Sequence, residues 1–330
     1  MASSRLCVLL TLVFHPSAVY AVPDQPRVPM AAACPPPNTV NAPSMDDIIV
    51  FTMAGESFIR MLHNWVLHMH TALPEQPYEV HATDLSTLTA CTESVRPPGR
   101  CAYSQLEGER NESLSYYANP FYRFKVAVLL KILQTSQGRA ALLLDTTSLV
   151  RSPGCMQSWM RYPEDIVISS SRGTPRDFEK QFGRVANTGA LLVRPSALRL
   201  IELWQNDMPT HYDDPTIEYS GNQEHFNHLL QRNSFAWDQN DLFRFQNTSG
   251  KQYDRTGTVR IPTSASGNGA SVTMHVRFLS IIQWPRDANR SEGKCLYHPY
   301  EHEDREARFR RAGWWYLMPP SPPPLGRMPA

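Results

Sequence analysis

The sequence predicts an α/β fold: a mostly parallel sheet flanked by helices, in a single domain. Three observations predict it. Short apolar runs end on polar residues, stretches with helical periodicity separate them, and no internal repeat breaks the pattern between residues 45 and 315.

The elements follow in order. DDIIVFTMAG gives a buried strand over residues 48–52 that breaks at Gly55. Phe58, Leu62, Trp65, Val66, Met69 and Leu73 then recur at helical spacing until Pro74 stops the helix. YEVHATD is a second strand ending on Asp84, and residues 85–120 are expected to be loop-rich. A helix over residues 122–134 leads into AALLLD, the third strand. Strands alternating with helices imply parallel pairing through crossovers. Ligands in such sheets bind beyond the carboxyl ends of the strands. The residues to examine are therefore 52–55, Asp84 and 145–148.

The 330 residues are 42% hydrophobic and 19% charged, as in a globular chain with a substantial core. A formal net charge of +1 gives no pointer to nucleic acid or to an anionic membrane. Residues 1–21 have the layout of a secretory signal peptide: Arg5, an apolar run of nine residues from 6 to 14, and Val19-Tyr20-Ala21. Spanning a bilayer takes about 20 residues, so membrane attachment is expected only if this segment is kept as a short signal anchor. Residues 22–44 carry seven prolines and read as a stem, and residues 316–330 as a Pro-rich disordered tail. Asn111, Asn247 and Asn289 begin N-glycosylation sequons. With Cys7 removed, Cys34, Cys91, Cys101, Cys155 and Cys295 remain. Cys91 and Cys101 flank RPPG and can close a local disulfide loop, while the other pairings stay open. None of the five has the paired spacing of a zinc site.

Some polar residues need only an ordinary role. His63 and His70 share a helix face that His68 does not, so solvated or capping roles are expected rather than a ligand cluster. EHEDREARFRR reads as a solvated charged helix, and the tryptophan pair after it as core.

DIIVFTMAG, NWVLHMH, YEVHATD, FKVAVLLKIL, LLLDTTSLVRSPG, NTGALLVRPSALRLIELW, NQEHFNHLL, MHV and RFRRAGWW come in an order and spacing that resembles the nucleotide-diphospho-sugar transferase family of GT-A glycosyltransferases. That family includes plant and algal xylosyl-, arabinosyl- and galactosyltransferases. The resemblance covers residues 45–315 and implies a GT-A-like, Rossmann-like domain. It also implies a nucleotide-sugar donor (a UDP-sugar), a glycan or glycoprotein acceptor hydroxyl, a divalent cation such as Mn2+, and a place in the Golgi lumen, with secretion as the alternative. A hard cation would neutralise the charge that develops on the diphosphate leaving group.

Residue by residue, the first acid of the family's D-x-D pair falls on Asp145 and the second on Thr147, which has lost the carboxylate. The family's later Asp-Gln pair falls on Asn222 and Gln223, and its acid is lost too. Asn222 can hydrogen-bond but cannot act as a base. Glu224 is adjacent and is expected to point elsewhere on the helix. The resemblance further implies Asp145 and His275 as metal ligands, with Asn222 and Gln223 at the reacting sugar. Thr52, Ala54, Lys125, Asp145, Thr147, Asn187 and Gly189 would line the donor, Thr52 and Ala54 through their backbone. Two alternatives stay open: a pseudoenzyme that binds glycan or supports a partner glycosyltransferase, and metal-independent transfer with Lys125 or Arg151 at the diphosphate.

Overall fold

The computed structural model describes residues 45–104, 120–150, 153–171, 173–208, 221–238, 254–263, 270–280, 296–297, 305–311 and 315. All of them belong to one compact unit, Ala42–Ala330. The expected signal peptide, stem, Pro-rich tail, the three sequons, Cys34, Cys295 and Arg151 lie outside the described residues.

The strands β1 (Ile48–Ala54), β2 (Tyr78–Ala82), β3 (Gly99–Tyr103), β4 (Ala140–Leu144), β6 (Ile166–Ser171), β7 (Val185–Val193), β8 (Ala236–Trp237), β9 (Arg255–Pro262) and β10 (Ser271–Phe278) form a 9-stranded sheet. Its order is β3-β2-β1-β4-β7-β6-β10-β9-β8. β1 to β4 are mutually parallel, β10 is parallel to β6, and β7 and β9 run against their neighbours. The mostly parallel α/β class is therefore as expected, with one reversal in the middle. A two-stranded ribbon joins β5 (Leu149–Val150) to β11 (Leu296–Tyr297).

Because strand side chains alternate, each face of the sheet builds its own core. One face buries Phe51, Leu143, Ile168 and Leu191 with apolar residues of α3 (Pro120–Thr135), α6 (Leu198–Asp207) and α7 (Asn222–Arg232). The other buries Val50, Leu142 and Leu192 under α1 (Ile59–Ala72) and α4 (Pro153–Met160). Phe309 of α8 (Arg305–Arg311) joins this second core fully buried. The C-terminal charged helix is thus anchored rather than merely solvated, because one apolar position in a single turn is enough to dock it. Trp315 packs on the same cluster, as expected. His68 is buried and not solvated, whereas His70 Nε2 meets the Tyr78 hydroxyl at 2.7 Å.

The stretch expected to be loop-rich contains α2 (Leu85–Ser94) and the edge strand β3. Asp84 caps α2 by accepting from Thr87 N, while Cys91 and Cys101 are bonded and tie the helix to the strand. Pattern alone does not reveal these elements: half of α2 is Ser and Thr, and β3 has no apolar alternation.

Beneath the sheet, Arg277 of β10 makes a bidentate pair with Glu164 (Nη2–Oε1 2.6 Å, Nε–Oε2 3.0 Å) and stacks 4.2 Å over the Tyr162 ring. Burial and the neighbouring Asp254 carboxylate push the Tyr162 hydroxyl up to about 12, and it donates to Asp254 Oδ2 at 2.8 Å. A largely buried ion pair that loses one partner leaves an uncompensated charge. Glu164→Gln should therefore lower unfolding free energy by about 3 kcal/mol, seen as an earlier urea midpoint without a change in slope.

Candidate functional site

The site begins where β4 ends. Asp145 opens a tight turn in which Ser148 N donates to Asp145 O at 2.7 Å, the position that favours Asp in such turns. The turn is clamped to β7: Gly189 O accepts from Asp145 N at 2.8 Å and from Ser148 Oγ at 2.7 Å. Gly189 can do this because β7 bulges there. Its pairing with β6 jumps from Ile168↔Leu191 to Ser169↔Asn187, which pushes residues 188–190 out of the ladder. Asn187 Oδ1 steadies the bulge by accepting from Gly189 N at 2.9 Å.

Above Asp145 stands α3. Lys125 is only 4% exposed, and its Nζ lies 2.5 Å from Asp145 Oδ1, on a carboxylate that is 32% exposed. An ammonium so far from water needs a counter-charge, and Asp145 is its only partner among the described residues. Lys125, Asp145, Asn187 and Gly189 thus come together at the carboxyl edge of the sheet. Thr147 is in the same turn but is buried.

α7 brings the next group. Asn227 fixes the helix to β7 by accepting from Ala186 N (2.8 Å) and donating to Ala186 O (2.9 Å). That anchor sets Gly221 and Asn222 at the same edge. Trp204 Nε1 donates to Asn222 O at 3.1 Å, yet the Asn222 amide Nδ2 is buried with no hydrogen-bond partner among the described residues. Gln223 turns away, donating to Thr174 O at 3.0 Å. α7 opens at this edge on Gly221, its N-cap.

Other expected positions differ. Thr52 and Ala54 are fully buried within β1. Thr52 pairs with Val80, and Ala54 O is already taken by Thr83 N (3.0 Å) and Thr83 Oγ1 (3.2 Å). Their backbone is not presented to a ligand. Asp84 is committed to structure, accepting from Thr87 N, Ser86 Oγ and Glu56 N at 2.7 to 2.9 Å.

His275 must be corrected as a co-ligand of Asp145. Its neighbour Val276 pairs with Ile166, Ile166 with Val193, and Val193 with Ala141, the beginning of β4. His275 therefore sits at the amino edge, three strands away, roughly 20 Å from the end of β4 at ordinary strand spacings. Its backbone N donates to Asp165 Oδ2 there. A histidine in an apolar strand can be aligned by motif, but strand direction decides which edge it reaches.

The described residues do not by themselves assemble a site for the expected divalent cation. No group of three or more His, Cys, Asp or Glu that could hold a metal exists among the described residues, and the only strand-end acid at this site is paired to an ammonium. No step is assigned to a cation.

No protein-family model matches the sequence, and no curated protein matches it significantly. Several solved structures are similar at low identity. A galactosyltransferase, LgtC, described in complex with donor and acceptor sugar analogs, is 15% identical, with 83% of this chain and 98% of that one covered at a TM-score of 0.41. A glycosyltransferase involved in glycosylation of the major capsid of PBCV-1 is 11% identical, with 80% and 98% covered at 0.42. The glycosyltransferase GlyE of Streptococcus pneumoniae TIGR4 is 12% identical, with 55% and 42% covered at 0.37, so the chain spans less than half of its length. At these scores the similarities do not fix an activity.

Two outcomes test the site's chemistry. Asp145→Asn strands the Lys125 ammonium and should cost about 3 kcal/mol, whereas Lys125→Met leaves a carboxylate that water still reaches and should cost less. The double variant should recover most of the loss in thermal unfolding. Asp84 has a pH signature. Partial burial raises its carboxyl, but bonds from Ser86, Thr87 and Glu56 outweigh that and hold it below its ordinary 3.8. The stability it contributes is complete above that ordinary value and is lost as pH falls through the lower folded value. Denaturant midpoints should drop in acid, and Asp84→Asn should flatten that drop.

Proposed function

We propose that the protein is a glycosyltransferase that takes a nucleoside-diphospho-sugar at the edge where β1 and β4 end and β7 begins, and transfers the hexose or pentose to a hydroxyl of a glycan or glycoprotein. The observation that carries the proposal is the buried Lys125–Asp145 pair beside the β7 bulge, flanked by the orphan amide of Asn222. Lys125 has three N–H donors, one of which goes to Asp145. The others suit a diphosphate oxygen. In the transfer, the bond from the anomeric carbon to the diphosphate oxygen breaks and its electron pair leaves with the diphosphate. The acceptor oxygen bonds to that carbon, and its proton ends on the released diphosphate. Lys125 is aimed at the charge developing on the leaving group. The Cys91–Cys101 bond and the leader-like N-terminus support an oxidising secretory compartment, with UDP as the nucleotide tested first.

The ion pair also favours a second reading. If Asp145 serves only to hold Lys125, the chain is a sugar-binding or partner-supporting scaffold.

Calorimetric titration with UDP and UDP-sugars, in EDTA and in Mn2+, tests both. Binding should survive chelation and weaken about tenfold or more in Lys125→Met, the loss expected of a charged hydrogen bond. Binding without donor hydrolysis leaves the scaffold; no nucleotide affinity at all would falsify the transferase.

A further inference from the structure

Glu224 was expected to point elsewhere on the helix, and the structure brings its carboxylate against the α7 N-cap. It is the third residue of α7, two beyond Asn222, and Gly221 is the N-cap. Its carboxylate folds back over that cap. A Cβ on Gly221 would lie 3.0 Å from Glu224 Oε2 and 3.7 Å from the Tyr122 ring carbon Cε2. The carboxylate and the ring edge therefore close on the same point, where α7 meets α3. Tyr122 and Lys125 are one turn apart on α3 and share a side of that helix. Following α3, the Glu224 carboxylate is one aromatic ring and one helical turn from the Lys125–Asp145 pair. Within the same first turn of α7, Asn222 keeps its buried, partnerless amide Nδ2.

We propose that Glu224 is a sugar-binding carboxylate, acting with Asn222 to read neighbouring hydroxyls of the transferred sugar. This rests on the glycosyltransferase reading above. The chemistry suits a diol. A carboxylate only accepts, so it takes hydrogen bonds from hydroxyl groups, while the Asn222 amide donates one to an adjacent hydroxyl oxygen. Asn222-Gln223-Glu224 thus returns an acid to a turn that has none at Asn222. The ligand class is a nucleoside-diphospho-sugar with free vicinal hydroxyls on the sugar.

An acid at this helix position also caps the helix, so the test must separate the two roles. Glutamine at the third position supports the same cap as glutamate, and Glu224→Gln removes only the charge. UDP, UDP-glucose, UDP-galactose and UDP-xylose are titrated into the wild type and Glu224→Gln, with thermal unfolding of both. The variant should melt as the wild type does and bind UDP within twofold of it. It should bind the preferred UDP-sugar about 10- to 100-fold more weakly, the loss of a hydrogen bond to a charged group. Glu224→Asp, with a shorter reach, should fall between. An unchanged ratio of UDP-sugar to UDP affinity in Glu224→Gln overturns the assignment and leaves the glycosyltransferase reading standing. A wild type that binds neither UDP nor any UDP-sugar overturns both.

Discussion

The reversal of β7 against β4 is the constraint on which the rest of the site depends. A purely parallel continuation would place the next strand's amino end far from Asp145. An antiparallel neighbour instead brings its own early residues to the edge where β4 finishes. The bulge then turns one carbonyl, Gly189 O, into a double acceptor for Asp145 N and Ser148 Oγ. A loop that would otherwise be free acquires the rigidity of the sheet, which holding a charged side chain in one geometry requires. The same β7 segment anchors α7 through Asn227, so a single strand registers both Asp145 and Asn222.

The half-buried Arg277 and the buried Lys125 show how geometry separates a rigid pair from an adaptable one. Arg277 is a planar fork matched to Glu164 by two bonds and flanked by Asp254 and Tyr162. Its donors are directed inward, and the arrangement rigidifies the layer below β10 and β6. Lys125 is a point charge on a flexible stem with one carboxylate partner. An ammonium in that state can shift its remaining donors to an arriving oxygen at little geometric cost, which a bidentate guanidinium cannot. The first device suits a fold, and the second suits a ligand.

The sequence disclosed what strong periodicity encodes. β1, α1, β4 and the residue at which β4 stops are all marked by apolar runs and breakers, and Asp145 stands where that pattern places it. α2 and β3 were not legible, because their stability comes from the Asp84 cap and the Cys91–Cys101 bond rather than from an apolar stripe. His275 was misplaced for a different reason. Motif order carries no strand direction, and the level of β10 is set only by pairings that run through β6 and β7 to β4. The place of the Glu224 carboxylate was not foreseen, because an ideal helical wheel puts it opposite Asn222. Fold-back of an N-terminal side chain over a glycine cap is a local departure that no periodicity records.

The hydroxyl at Thr147 and the ammonium of Lys125 are electrically one fact. Two carboxylates at alternate positions need a divalent ion between them. Without it, like charges about 5 Å apart at an effective dielectric near 20 repel by about 3 kcal/mol, and both would repel a diphosphate. With a single carboxylate and an ammonium against it, the pair is neutral overall. Restoring the acid at Thr147, which is buried, would add a charge in the place least able to hydrate it. A turn with Lys125 in position is therefore better served by a hydroxyl at Thr147 than by a second carboxylate.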